Sequence, residues 1–407
     1  MKILFYSANF APEPTGIGKY SGEMAAWLAA RGHEVRVVCA PPYYPAWRVA
    51  PGYAWPPWRR ESWQGVDVWR APLWVPQRPG GLARVLHLLS FAVASLPSMA
   101  AQIFWRPQVV MTVAPFFVCA PAGWLVARLT GARAWLHVQD FEVDVAFRMG
   151  LLKGGLAQRA ILGAERWLLR RFDRVSSISR RMRERLVDKG VAPDRVRALP
   201  NWVDVDSLRP LDRPSAYRAE LGIAADAVVA LFSGTLGPKQ GLMLIPEAAR
   251  LLAARPEIVF VVCGDGVMKP ALEVACAGLP NVRLLPLQPA ARLGELLGLA
   301  DIHLLTQSPD AEDLVLPSKL SGMLASGRPV VATTRAGTEI AEVLADCGVV
   351  VAPEDAAALA AALQDLAQAP ERRAAVGRAA RLWAERHMGA AGVLAALEAD
   401  LGQKASP

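Results

Sequence analysis

Short apolar runs alternate with stretches of helical spacing along most of the chain. Residues 2–7 (KILFYS) form a run of strand length, and residues 16–31 follow with Met24, Trp27 and Leu28 on one helical face. Gly32 stops that helix, and residues 34–40 (EVRVVCA) read as a second strand. Residues 109–113, 134–138 and 175–178 are further strands, the last followed by a basic helix from Ser179 to about Lys189. The rhythm returns with strands at 228–232, 258–262, 282–285, 302–305, 330–332 and 349–351. Helices are predicted between them at 242–254, 270–277, 291–299 and 318–325. Strand–helix alternation of this kind builds parallel, doubly wound sheets. The fold class is therefore α/β, with two Rossmann-like domains.

The polar, proline-containing stretch 199–214 separates the two halves. It sets the expected domains at 1–204 and 205–380, with the alanine-rich stretch from Asp355 to Leu401 helical by propensity and a C-terminal helix at 381–407 expected to pack back on the first domain. Open α/β sheets bind ligands beyond the carboxyl ends of their strands. Two such sheets facing a common cleft would suit an enzyme with two substrates.

Two segments break the pattern. Residues 41–84 carry Trp47, Trp55, Trp58, Trp63, Trp69 and Trp74, interleaved with Arg48, Arg59, Arg60, Arg70, Arg78 and Arg84. This is either a long ordered loop packed through tryptophan, or an interfacial surface with Trp at headgroup level and Arg on anionic lipid. Nucleic-acid binding uses similar residues, but no module signature accompanies them. Residues 88–104 hold no charge for 17 positions, the lower edge for a membrane span. Pro97 and the polar Ser90, Ser95, Ser98 and Gln102 favour a buried or monotopic helix instead.

Charge sharpens this division. Residues 1–204 hold 27 Lys+Arg against 14 Asp+Glu, a balance of +13, and the remainder holds 18 against 23, a balance of −5. The basic half suits an anionic partner such as headgroups or a pyrophosphate. The five cysteines show no C-x-x-C spacing and read as buried apolar residues of a reducing compartment. The opening residues do not form a signal peptide, so a cytoplasmic location is expected.

Candidate chemistry sits at strand ends. Gly16 and Gly18 open the first helix, where backbone N–H groups can approach an anion or simply form a turn. Gly234 and Lys239 lie in SGTLGPKQG after the strand 228–232, a second phosphate-cradle pattern with a cation. Gly264, Asp265 and Gly266 follow the next strand and form either a plain turn or an approach to a nucleobase or ribose. Asp313 precedes Ser318 and Lys319 at a helix start, where Ser318 is a candidate N-cap or phosphate ligand. His137 and Asp140 (HVQD) end a strand of the first half. The D-x-D at Asp204 and Asp206 lies in the linker, so no metal site is expected.

Taken in order, MKILFYSANFAPEPTGIGKYSGEM, LHVQDFEVD, PNWVD, FSGTLGPKQGL, CGDG and LPSKL resemble family 4 glycosyltransferases of GT-B fold, of the kind that builds colanic acid. The resemblance covers nearly the whole chain. It implies a retaining, metal-independent sugar transfer in the interdomain cleft, with a nucleotide-diphosphate sugar such as GDP-fucose as donor. It places Gly16 and Gly18 on the donor diphosphate from one domain. Gly234, Lys239, Ser318 and Lys319 face it from the other, and His137 and Asp140 lie near the reacting sugar. It further implies an undecaprenyl-diphosphate-linked acceptor, peripheral association with the inner membrane surface, and no nucleic-acid partner. The alternatives are a GT-B nucleotide-sugar epimerase and a non-catalytic basic binding protein.

Overall fold

The computed structural model describes residues 1–77, 81–114, 117–141, 155–309 and 316–403. The chain divides into two compact units, Met1–Pro200 with Leu394–Pro407, and Asn201–Val393.

The first unit is built on eight strands: β1 (Lys2–Tyr6), β2 (Glu34–Cys39), β3 (Arg59–Trp63), β4 (Val66–Arg70), β5 (Val109–Ala114), β6 (Arg133–Val138), β7 (Arg174–Ser177) and β8 (Val196–Ala198). Their order across the sheet is β3-β4-β2-β1-β5-β6-β7-β8. All neighbours run parallel except β3 and β4. The apolar runs of β1 and β5 are explained by this position: central strands covered on both faces have little room for polar side chains. Helix α1 (Gly16–Ala30) crosses from β1 to β2 and ends where Gly32 takes a left-handed φ of 87°.

The second unit holds β9 (Val228–Ser233), β10 (Ile258–Cys263), β11 (Val282–Leu285), β12 (Ile302–Leu305), β13 (Val330–Thr333) and β14 (Gly348–Val351). They lie in the order β11-β10-β9-β12-β13-β14, all parallel. This is the dinucleotide-fold order, and its switch point lies between β9 and β12. Alternation along β9 feeds two core layers. Val228, Ala230 and Phe232 pack on one face, and Val229 and Leu231 on the other. Phe232 and Phe260 are fully buried, each such ring stabilising the fold by about 1.5–3 kcal/mol.

Three features depart from the sequence reading. The segment 41–84 is not one long loop, because β3 and β4 form an antiparallel hairpin at the sheet edge, turned at Gln64 and Gly65. The short strand β8 was also unmarked by the apolar pattern. The uncharged stretch becomes two helices, α2 (Gly81–Ala94) and α3 (Leu96–Trp105), broken at Ser95.

The stretch after Pro200 is firmly held. Trp202 is buried, and Val203 exchanges backbone hydrogen bonds with Met388 and Ala390 at 2.8 and 3.0 Å. The helices Ala356–Gln368, Pro370–Met388 and Ala390–Gly402 complete the chain. In the last of these, Glu398 accepts from Arg31 and His33 of the first unit, to which it belongs. All five cysteines are buried thiols.

Candidate functional site

The loops after β9 and β10 are fused at the carboxyl edge of the second sheet. Gly234 donates its N–H to Cys263 at 3.0 Å, and Leu236 donates to the Asp265 carbonyl at 2.8 Å. Glycine is required for this contact, since a Cβ at Gly264 would lie 1.9 Å from the Gly234 carbonyl oxygen. The loop then crosses to β12. Thr306 Oγ1 donates to the Gln240 carbonyl at 2.6 Å, and the Ser308 N–H donates to the Lys239 carbonyl at 3.0 Å. These two loops therefore meet at the switch point, where ligands of such sheets bind.

Lys319, in the first turn of the helix Lys319–Ala325, projects into this meeting point. Its ammonium donates to Gln240 Oε1 at 2.5 Å and sits 4.0 Å from the centre of the Phe232 ring. Its Nζ is 3.8 Å from the position a Gly234 Cβ would occupy. Burial lowers its pKa from 10.5 to about 7. Among the described residues no carboxylate pairs with it. A desolvated ammonium satisfied by one neutral amide and an aromatic face is a receptor for an added anion.

The neighbouring candidates fall into place around it. Lys239 lies on the 3-10 turn Pro238–Gln240 with its side chain exposed. Ser318 occupies the N-cap position, but its side chain caps no backbone N–H; its carbonyl accepts from Ser321. The exposed Asp265 turns back to accept from the Gly266 N–H at 2.8 Å. Asp313 lies outside the described residues. Beyond the ends of β10 and β11, next to Gly264, a recess of about 140 Å³ is walled by Leu236, Val262 and Leu284, with Lys269 and Glu273 at its edge.

In the first unit the two glycines of the opening loop have different surroundings. Gly16 is exposed, with φ 61°. Gly18 is buried, and a Cβ there would lie 2.4 Å from Glu13 Oε2. Its missing side chain makes room for a carboxylate that is 4% exposed. Glu13 accepts from Asn9 Nδ2 at 2.9 Å and from the Tyr43 and Tyr44 N–H groups at 3.1 and 3.0 Å. Burial raises its pKa despite these three donors. Glu13 belongs to no recognisable motif, and Gly18 five positions on is its local trace in the sequence.

His137 is 2% exposed, and its Nδ1 faces Ser176 Oγ at 2.9 Å. Burial lowers its pKa to about 4, so the ring is neutral at physiological pH. Asp140 lies two residues past β6 and is half-buried. The D-x-D residues serve a turn: Asp204 Oδ1 accepts from the Asp206 and Ser207 N–H groups, both at 3.0 Å. Those hydrogen bonds, the one from Ser207 foremost, hold its pKa down.

Comparison with known proteins adds the following. Residues 15–202 match the glycosyl transferase 4-like domain, and residues 227–369 match glycosyl transferases group 1. Over 97% of its length the chain is 42% identical to the colanic acid biosynthesis glycosyl transferase WcaI of Escherichia coli K12, covering 98% of that protein. The fold resembles sucrose-phosphate synthase of Thermosynechococcus elongatus, with a TM-score of 0.74 at 16% identity over 98% of both chains. It also resembles HepE of Anabaena in complex with UDP, with a TM-score of 0.70 at 17% identity over 98% of this chain and 99% of that one. These structural likenesses identify the fold as that of GT-B glycosyltransferases.

Proposed function

Because this chain belongs to the glycosyltransferase 4-like family and is a hexosyltransferase close to WcaI, we propose that it moves a sugar from a nucleotide diphosphate to a lipid-diphosphate-linked glycan during exopolysaccharide assembly. The observation that carries this reading is Lys319, a desolvated ammonium beside Gly234 at the β9/β12 switch point.

Expulsion of the nucleotide builds negative charge on the leaving phosphate. Lys319 stabilises that charge, with Gly234 and the Ser318 segment giving the phosphate close access and Lys239 adding a solvated cation. A preorganised donor of this kind changes turnover by about 10²–10³-fold. The base lies in the recess at Lys269 and Glu273, and resemblance to the colanic acid enzymes favours GDP-fucose as donor. HepE, which shares the fold, binds UDP. No metal is required, since lysine supplies the positive charge. Transfer retains anomeric configuration: the acceptor attacks from the face the phosphate leaves, and that phosphate takes the acceptor proton.

The first unit receives the acceptor. Resemblance to the family assigns Asp140 and His137, at the end of β6, to the reacting sugar, and the exposed Gly16 leaves the opening loop accessible. An undecaprenyl-diphosphate-linked acceptor places the enzyme at the cytoplasmic surface of the inner membrane. The test is nucleotide release from GDP- and UDP-sugars with a polyprenyl-diphosphate-linked acceptor, and the anomeric configuration of the product by NMR. Acceptor-dependent release with retention supports the reading; release of neither nucleotide, or inversion, contradicts it.

A further inference from the structure

Helices α2 and α3 present two opposed faces. The inner face carries His87, Phe91, Ser95, Met99 and Gln102, all buried, at helical spacing. It is bonded into its unit. Ser95 Oγ lies 2.6 Å from Tyr6 Oη, and Gln102 accepts from Arg36 at 3.3 Å. His87 Nδ1 lies 2.7 Å from the Trp74 carbonyl oxygen. The outer face carries Leu82, Leu86, Leu89, Val93 and Leu96, with Leu82 72% exposed, and Phe104 beyond them 89% exposed.

By length and composition Leu82–Trp105 is apolar enough to cross a membrane. Its inner face argues otherwise. A spanning helix would have to strip those buried polar side chains from their partners, and the break at Ser95 already divides the rod. One packed face and one bare apolar face is the geometry of a segment lying in the plane of a bilayer.

The surroundings specify the occupant. Of the Trp residues in 41–84, Trp47 and Trp63 pack internally against His87 and Phe10, while Trp55, Trp58 and Trp74 stay exposed. Trp58 Nε1 donates to the Ala94 carbonyl at 3.1 Å, closing one side of an apolar groove of about 660 Å³. Trp74, Leu86, Leu89, Val93 and Pro97 line the rest. Ser90 Oγ, the polar group there, is used up between the Trp74 N–H and the His87 carbonyl. From Gly81 to Trp105 the one charged residue is Arg84, and Arg106 follows. Arg59 and Arg60 stand on the adjacent hairpin, where they pair with Glu61 and Asp67; Arg70 and Arg36 pair with the same two carboxylates, so four arginines share two carboxylates and the hairpin keeps a net positive charge. An apolar face with a tryptophan and arginine rim complements acyl chains beneath anionic headgroups.

We propose that α2 and α3 form a monotopic membrane-docking face, inserting the Leu82–Leu96 side into an anionic leaflet with lipid chains seated in the Trp58–Trp74 groove. This rests on the proposed lipid-linked acceptor only for its purpose. The experiment is flotation of the full chain with phosphatidylglycerol-rich and phosphatidylcholine vesicles, for the wild type and a Leu86→Ser, Leu89→Ser, Val93→Ser variant. The wild type floats with the anionic vesicles, and the variant loses at least about tenfold in partitioning with an unchanged circular dichroism spectrum. Vesicles with brominated acyl chains quench part of the wild-type fluorescence, and Trp58→Phe with Trp74→Phe removes that part; this arm stands even where the triple variant does not fold. Equal flotation of a folded variant, or no quenching, overturns the proposal. So does a wild-type dimer that the variant splits while neither floats. A nucleotide-induced thermal shift in the same triple variant keeps this outcome separate from the transfer reading.

Discussion

The Lys319 ammonium donates to the Gln240 side-chain carbonyl at 2.5 Å, joining residues 79 positions apart at the edge of the second sheet. Its pKa of about 7 gives the site a pH dependence. A nucleotide diphosphate binds the protonated amine, so affinity falls as pH rises through about 7, by up to about tenfold per unit. Titration calorimetry with GDP and UDP from pH 6 to 9 reads this slope, taking those limits as roughly one unit below and two above that pKa. A slope unchanged in Lys319→Met would assign the dependence elsewhere.

The same lysine links pH to stability. Its folded value lies below the 10.5 of an ordinary lysine. Across that window the unfolded chain holds the proton and the folded chain does not, so this group's contribution makes stability rise from pH 7 toward 10.5. Urea melts of the wild type and Lys319→Met should differ in pH slope over that range, the variant being the flatter.

Gly264→Ala places a methyl group 1.9 Å from the Gly234 carbonyl oxygen. Overpacking of this kind costs about 1–3 kcal/mol. It should also separate the β9 and β10 loops and weaken nucleotide binding. Chemical denaturation with nucleotide present and absent measures both effects. A variant as stable as the wild type would mean that the loops are not fused.

Much of the architecture was legible in the sequence. Strands buried on both faces must be apolar throughout, so β1, β5, β9 and β10 announced themselves. The β3–β4 hairpin did not. Its strands read RRESW and VDVWR, edge sequences in which charge outweighs the apolar signal. Arg70 looked like one more surface arginine, yet it is 2% exposed and donates to Glu61 Oε1 and to the carbonyls of Ala40 and Ala11. The Lys319–Gln240 pairing was hidden because it depends on loops from β9 and β12 meeting, which no local pattern encodes.

Gly18 and Glu13 should behave as one packed pair. Gly18→Ala displaces the carboxylate, and Glu13→Ala leaves three donors, two of them buried, without their acceptor. Each loss costs about 1–3 kcal/mol, and the double variant should lose less than their sum. Additive losses in a double-mutant cycle would show that the two do not interact.

Turnover should survive EDTA, because the proposed stabilisation of the leaving phosphate comes from lysine and backbone. Activity lost to the chelator and restored by manganese would contradict this.

The most direct test is a thermal-shift titration of the full chain and of Lys319→Ala with GDP and UDP. A ligand that binds only the folded state raises the melting temperature in proportion to the logarithm of its concentration over Kd. The prediction is a saturable rise with one of the two nucleotides in the wild type, reduced at least about tenfold in apparent affinity by the substitution. Equal shifts in both proteins would remove Lys319 from the donor site, and no shift with either nucleotide would contradict the donor assignment itself.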